Sequence, residues 1–113
     1  MLRLKADLWV MAYVRTCNAT GAASYVVRKG DEHAGSIFIR ISHLNGTSEL
    51  YAPAAAGLAE VAVERRWSRR LQATDAEIDA LISREINIDP DLWLIEVEDR
   101  QGRQFLDERL ISG

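Results

Sequence analysis

Hydrophobic and polar positions alternate with a period of two from Ser36 to Ser42. Ile37, Ile39 and Ile41 fall on one side, and Ser36, Phe38, Arg40 and Ser42 on the other. Asn45-Gly46 follows, a pair suited to a two-residue type I′ turn, so the stretch from Gly35 to Pro53 reads as a β-hairpin. With Asn45 and Gly46 as the loop, Leu44 lies opposite Thr47, Ile41 opposite Leu50, Arg40 opposite Tyr51 and Ile39 opposite Ala52. That register gives each isoleucine an apolar partner and leaves Phe38, Arg40 and Tyr51 together on the other side. Pro53 ends the outgoing strand, because a proline cannot donate to a ladder.

The period changes to that of a helix over residues 6–20. Ala6, Trp9, Val10, Tyr13, Val14 and Cys17 form one broad stripe, and Asn18 and Gly21 stop it. Leu8 and Met11 lie off the stripe, which implies cover on a second side or a partner there. Leu2 and Leu4 alternate as a short entry segment. Ala23 to Lys29 reads as a strand, with Tyr25 and Val27 on one face and Val26 and Arg28 on the other. The loop Gly30-Asp31-Glu32-His33-Ala34-Gly35 suits a second hairpin turn.

After Pro53, Ala54 to Ala59 reads as a mobile small-residue connection. Val61 to Leu71 alternates as a fourth strand, with a helix as the alternative because of the preceding alanines. Thr74-Asp75-Ala76-Glu77 is a capping box that opens a helix, with Ile78, Leu81, Ile82 and Ile86 as its apolar stripe to about Asn87. Asp89-Pro90 prevents its continuation. Leu92 to Glu98 is a strongly apolar strand with Trp93, Ile95 and Val97 facing one way. Asp99-Arg100-Gln101-Gly102 turns the chain back through a short strand, Gln104 to Leu106, into a frayed tail over 107–113.

The predicted order is α-β-β-β-β-α-β-β: an α+β domain with one mostly antiparallel sheet of five or six strands and both helices on one face. At 113 residues the chain is a single domain spanning 1–113. The apolar run from Leu8 to Val14 is too short to cross a bilayer, and no convincing signal peptide precedes it. One cysteine, Cys17, excludes an internal disulfide and makes the cytoplasm the expected compartment. A net charge of −3 gives no global attraction to nucleic acid or to an anionic membrane.

Candidate chemistry is sparse. Asp31, Glu32 and Glu49 are the acids a metal-dependent hydrolase would use, and the element order resembles that of PD-(D/E)XK nucleases. Glu49-Leu50-Tyr51, however, lacks the lysine those enzymes need to orient water. Taken alone, Gly30-Asp31-Glu32 is a solvated turn. His33 and His43 have no metal-ligand spacing. Cys17 sits on the apolar stripe, where burial disfavours the thiolate. Arg65, Arg66, Arg69 and Arg70 surround Trp67 as a nucleic-acid binder would require. Strand alternation nevertheless divides these arginines between two faces, and nucleic-acid binding is not the expectation.

The expected role is therefore a non-catalytic module without a cofactor, binding a protein partner or its own copy. The sheet side away from the isoleucines, with Phe38, Arg40, Tyr51 and Trp67, is the candidate contact surface.

Three blocks carry a family resemblance: Leu4-Lys5-Ala6-Asp7-Leu8-Trp9-Val10; Val26-Val27-Arg28-Lys29-Gly30-Asp31 with Ala34-Gly35; and the stretch from Asp89 to Asp99. The chain resembles the small alphaproteobacterial proteins of domain-of-unknown-function family 1491. The likeness runs over nearly all of it except Ala54 to Val61, and Asp89-Pro90-Asp91-Leu92-Trp93 is its most specific part. It implies a stand-alone cytosolic protein of this size and transfers no catalytic residue.

Overall fold

A computed structural model of the chain describes residues 4–54 and 65–110, with the backbone alone at Glu108. The elements run α1 (Ala6–Ala19), β1 (Ala23–Arg28), β2 (Ile37–Ser42), β3 (Thr47–Pro53), β4 (Trp67–Thr74), α2 (Asp75–Ile88) and β5 (Trp93–Glu98), ending in a 3-10 turn over Asp107–Arg109. The five strands form one sheet in the order β1-β5-β2-β3-β4. β5 enters between β1 and β2, antiparallel to the first and parallel to the second. The sheet is therefore mixed.

The position of β5 follows from its composition. Trp93, Leu94, Ile95 and Val97 are all buried, so both faces of this strand require cover. An outer position would leave its backbone edge and much of this apolar surface in water. The loop after β1 consequently passes over the start of β5 instead of closing a hairpin with β2. Asp31 N–H donates to Asp91 O (2.9 Å), Trp93 N–H to Ser36 O (2.7 Å), and the Trp93 indole N–H to Asp31 O (2.7 Å). A Cβ on Gly35 would stand 2.6 Å from Asp91 O, so the closeness of this crossing requires a glycine there.

The β2–β3 hairpin forms with a loop one residue longer than expected. Ser42 pairs with Ser48, Ile41 with Glu49, Arg40 with Leu50 and Ile39 with Tyr51. His43 N–H closes the loop on Thr47 O, leaving Leu44-Asn45-Gly46 as a three-residue turn. Leu44 (φ 61°) and Gly46 (φ 90°) take the left-handed conformation. Asn45 contributes its side chain instead, Oδ1 accepting from Thr47 N–H (3.0 Å) and Thr47 Oγ1 (2.6 Å). This one-residue difference moves Tyr51 to the isoleucine face and Leu50 and Ala52 to the other.

Two apolar layers result. α1 lays Ala6, Val10, Tyr13 and Cys17 over Ile37, Ile39, Ile41, Tyr51, Trp67, Trp93, Ile95 and Val97. α2 lays Ile78 and Ile82 over Phe38, Leu50, Ala52, Leu92 and Leu94 on the opposite face. The helices thus sandwich the sheet and do not share one side. Phe38, Leu50, Ala52, Leu92 and Leu94 make a second apolar face that needs its own helix.

α2 starts at the expected cap. Thr74 Oγ1 accepts from Glu77 N–H (3.3 Å) and its hydroxyl donates to Glu77 Oε1 (3.1 Å). β4 begins at Trp67, and the expected strand residues 61–64, like the connection 55–59, lie outside the described residues. Gln104 to Leu106 is not a strand. Leu106 is fully buried, and Leu110 bridges to Trp67, so the tail is docked as far as Leu110. Positive φ angles at Phe105 and Asp107 break the extended geometry a strand would need.

Candidate functional site

Three of the four residues expected at a contact surface are interior. Phe38 is 5% exposed, Tyr51 4% and Trp67 1%. Trp67 packs against Trp9 with ring centroids 4.4 Å apart and the rings tilted by 33°, and it donates its indole N–H to Ile37 O (2.8 Å). The register and the opposed helices explain the difference: α2 covers Phe38, while α1 covers Tyr51 and Trp67. Arg40 is mostly enclosed under α2, where it bonds Ser48 Oγ (3.3 Å), Asp75 Oδ1 (3.3 Å) and Asp79 and lies 3.7 Å from Glu96. These groups hold the Arg40 guanidinium in its charged form against the cost of burial. The four residues form no common surface.

The acids do not converge either. Asp31, Glu32 and His33 are exposed on the loop that crosses the start of β5. Asp31 Oδ2 accepts from the N–H groups of Ala34 (2.9 Å) and His33 (3.2 Å), and those bonds lower its pKa. Glu49 pairs with Ile41 near the far end of β2, about 13 Å along the strand from Ile37 at 3.3 Å per residue. Among the described residues, no group of three His, Cys, Asp or Glu side chains is placed to hold a metal ion.

Glu49 is instead the centre of a structural polar cluster. His43 Nε2 lies 2.7 Å from its Oε2, while Tyr51 OH (2.9 Å) and Arg69 Nη1 (3.2 Å) donate to Oε1. Burial pushes the Glu49 carboxyl up, but the bonds from Tyr51, His43 and Arg69 outweigh it and hold the pKa below its ordinary value. Burial and the adjoining carboxylate raise the Tyr51 phenol to about 12. Both oxygens of the carboxylate are thus engaged by partners within the fold. An open depression lined by Thr47, Gln72, Ala73, Thr74 and Glu77 offers one acid, Glu77, whose carboxylate already accepts from the capping hydroxyl of Thr74.

The arginine segment is divided as alternation requires. Arg69 turns to Glu49 and Gln72 on the α1 side, Arg70 turns to Glu85 of α2 (2.5 Å), and Arg65 is buried, donating to Leu4 O (3.1 Å). Cys17 is buried, which raises its thiol pKa.

Among the described residues, Leu44 and Ile88 are exposed singly elsewhere, and the other exposed large apolar side chains gather at and near the β1 edge. Tyr25, Val26 and Val27 are exposed there, Val27 by 53% at a bulge between Val26 and Arg28. Leu8 and Met11 are exposed on the outer side of α1, Met11 by 58%, and Leu4 is exposed just before the helix begins. Met11 and Asn18 are seven residues apart and share a helix side. Asn18 exchanges two 3.0 Å hydrogen bonds with Ser24 of β1, so Met11 borders that strand. The other sheet edge, β4, exposes Arg69, Arg70, Gln72 and Thr74. Polar residues guard one edge and apolar residues line the other. Leu8 and Met11 are recognisable from sequence as apolar positions off the buried stripe. Val26 and Val27 are not, because nothing local places β1 at an edge.

Among the described residues, no helix is long and apolar enough to cross a membrane. The family described as "Protein of unknown function (DUF1491)" matches residues 4–107. A crystal structure of a DUF1491 family protein from Caulobacter crescentus CB15 is 38% identical, covering 99% of this chain and 100% of that one, with a TM-score of 0.80. An NMR structure of a DUF1491 family protein from the same organism is 37% identical over the same shares, with a TM-score of 0.82. A solution structure of a protein from A. tumefaciens is 39% identical over 86% of each chain, with a TM-score of 0.76. No curated protein matches the chain.

Proposed function

The chain belongs to the DUF1491 family, whose function is unknown, and on that premise we propose that it is a small non-catalytic protein that binds another polypeptide through the face made by β1 and the outer side of α1. The observation that carries the reading is the contrast between the two sheet edges. Tyr25, Val26 and Val27 are exposed on one, and arginine, glutamine and threonine on the other. An accessible apolar edge beside an accessible apolar helix side is costly to leave in water and gains most from being covered. The engagement of Glu49 by His43, Tyr51 and Arg69, and of Asp31 by backbone amides, supports a structural rather than a catalytic use of the acids. The free, buried Cys17 supports residence in a reducing compartment, the cytoplasm.

A photo-reactive side chain at position 11 or 26, with position 72 on β4 as control, tests this in cell extract. Discrete adducts are expected from 11 and 26 and none from 72. The polypeptide found in them, once purified, is expected to bind about tenfold more weakly to Met11→Lys. No adducts from 11 and 26, or equal yields from 72, would remove the reading.

A further inference from the structure

Resting on that reading, we infer that the polypeptide this face fits is a second copy of the chain, docked about a two-fold axis so that β1 and α1 of one copy lie antiparallel to β1 and α1 of the other. The argument is the distribution of charge around the apolar band. Ala6 and Asp7 N–H groups donate to His33 O and Glu32 O, which fixes the start of α1 beside the loop that leaves β1. Asp7 therefore shares one end of the face with Arg28 and Lys29. The Asn18–Ser24 bonds fix the other end, where Arg15 belongs to the α1 layer and Glu96 and Glu98, the β5 partners of Tyr25 and Ala23, belong to the strand layer and face away from α1.

Each end thus carries opposite signs on its two layers. The helix is acidic at the first end and basic at the second; the strand layer is basic at the first and acidic at the second. A two-fold axis normal to the sheet keeps both α1 helices on one face and brings the first end of each copy against the second end of the other. With Met11 at the axis, Asp7 and Arg15 stand about 6 Å to either side along the helix, so Asp7 of one copy comes level with Arg15 of the other. In the strand layer, Arg28 and Lys29 meet the Glu96–Glu98 end. A parallel arrangement would oppose like charges in both layers.

The strand contributes features consistent with this. The bulge at Val27 leaves Ala23–Val26 as the regular part of the edge. Arg28 donates one N–H to Pro90 O (2.7 Å), while its Nε has no partner among the described residues. The Tyr25 hydroxyl lies 2.5 Å from Glu96 Oε2 and 3.0 Å from Glu98 Oε2, holding the two carboxylates together at the acidic end. Leu8 and Met11 of the two copies cover one another between the charged ends.

Light scattering of the whole chain over a dilution series tests the inference. A mass twice the single-chain 12.7 kDa is expected at high concentration. Arg15→Asp, a change at an exposed position, is expected to weaken the dimer about tenfold, and the double exchange Asp7→Arg with Arg15→Asp to restore it. Circular dichroism of each variant confirms that the fold is kept. A single-chain mass at every concentration, an Arg15→Asp variant as dimeric as the parent, or a double exchange that restores nothing would overturn it. The photo-adducts separate this inference from the broader reading. Adducts of twice the chain mass support both, adducts of another mass overturn only the second-copy assignment, and an absence of adducts overturns both.

Discussion

His43 Nε2 and Glu49 Oε2 lie 2.7 Å apart across the β2–β3 hairpin, one residue outside the last regular strand pair on the β2 side. The pair exists because the hairpin loop has three residues, which places His43 and Glu49 on the same side of the ribbon as Tyr51. A two-residue loop would have turned Glu49 toward α2. Gly102 packs against this pair: a Cβ there would stand 2.6 Å from His43 Cε1 and 3.2 Å from Glu49 Oε2. The turn after β5 therefore closes over the cluster, and Tyr13 OH reaches the same segment by donating to Gln104 O (2.6 Å).

Acid sensitivity follows from the direction of the Glu49 shift. A carboxyl with a lower pKa folded than unfolded binds its proton more weakly in the folded state, so protonation favours unfolding. Its contribution is complete above the ordinary glutamate value of 4.5 and is lost as pH falls through the depressed folded value. Asp99, lowered by Arg103, and Asp75, lowered by Ser48 and then Arg40, act in the same direction below 3.8. Urea unfolding is expected to give a constant stability from pH 4.5 to neutral pH and a steady fall below 4.5. Glu49→Gln should cost about 1–3 kcal/mol near neutral pH, because His43 and Arg69 lose a charged acceptor. The same variant should flatten the fall just below 4.5. An unchanged acid limb in Glu49→Gln would show that the cluster does not govern it.

Arg40 offers a second test of the polar framework. It bonds Asp75 and Asp79 of α2, lies near Glu96 of β5 and touches Ser48 of β3, fastening the helix to the sheet. Arg40→Met keeps the aliphatic bulk but leaves Asp75, Asp79 and Glu96 together without a cation. A loss of about 1–3 kcal/mol is expected, tempered by the exposure of the two aspartates. Hydrogen exchange should show the loss as faster opening of α2 than of α1. Equal acceleration in both helices would argue against a local fastening role.

These tests bear on the parts of the molecule that local sequence cannot encode. The isoleucine alternation over residues 37–41 and the Thr74 cap specify their elements directly, because each depends only on neighbours a few residues away. The Asn45 side chain, acting as an acceptor in the turn, shifts the hairpin by one residue and reassigns Leu50 and Tyr51 to opposite faces. The insertion of β5 between β1 and β2 is a pairing between segments some sixty residues apart, set by the need to bury Trp93 to Val97 on both sides. From that insertion follow the edge position of β1 and the exposure of Val26 and Val27. Leu8 and Met11 are the exception: their exposure follows from helix period alone.

Leu44 carries a cost that substitution can remove. It holds φ 61° at an exposed turn position, a conformation a leucine adopts against the steric preference of its Cβ. Asn tolerates this region better and would replace a half-exposed apolar side chain. Leu44→Asn is expected to stabilise the chain by about 0.5–1 kcal/mol, read as a higher denaturant midpoint with an unchanged slope. A lower midpoint would mean that Leu44 makes a contact whose value exceeds the backbone relief.

Cys17 reports on whether the α1 layer opens as a unit. Its thiol is fully enclosed beneath the helix, beside Tyr13 and Ser24, and burial raises its pKa. A disulfide reagent should therefore label it only through opening, at a rate that follows the unfolding equilibrium. Gly21→Ala tests the link. Gly21, at φ 94°, ends α1 just before β1, where an added Cβ meets no neighbouring atom but strains the backbone. That variant should lose about 1 kcal/mol and label roughly fivefold faster at fixed reagent concentration. If labelling of the parent is as fast as that of a free thiol, α1 is not held by the packing that buries Ala6, Val10, Tyr13 and Cys17. If Gly21→Ala loses stability while its labelling rate stays constant, Cys17 is reached by a local fluctuation that leaves the α1–β1 turn intact. The two rates together thus separate global opening from fraying of one helix.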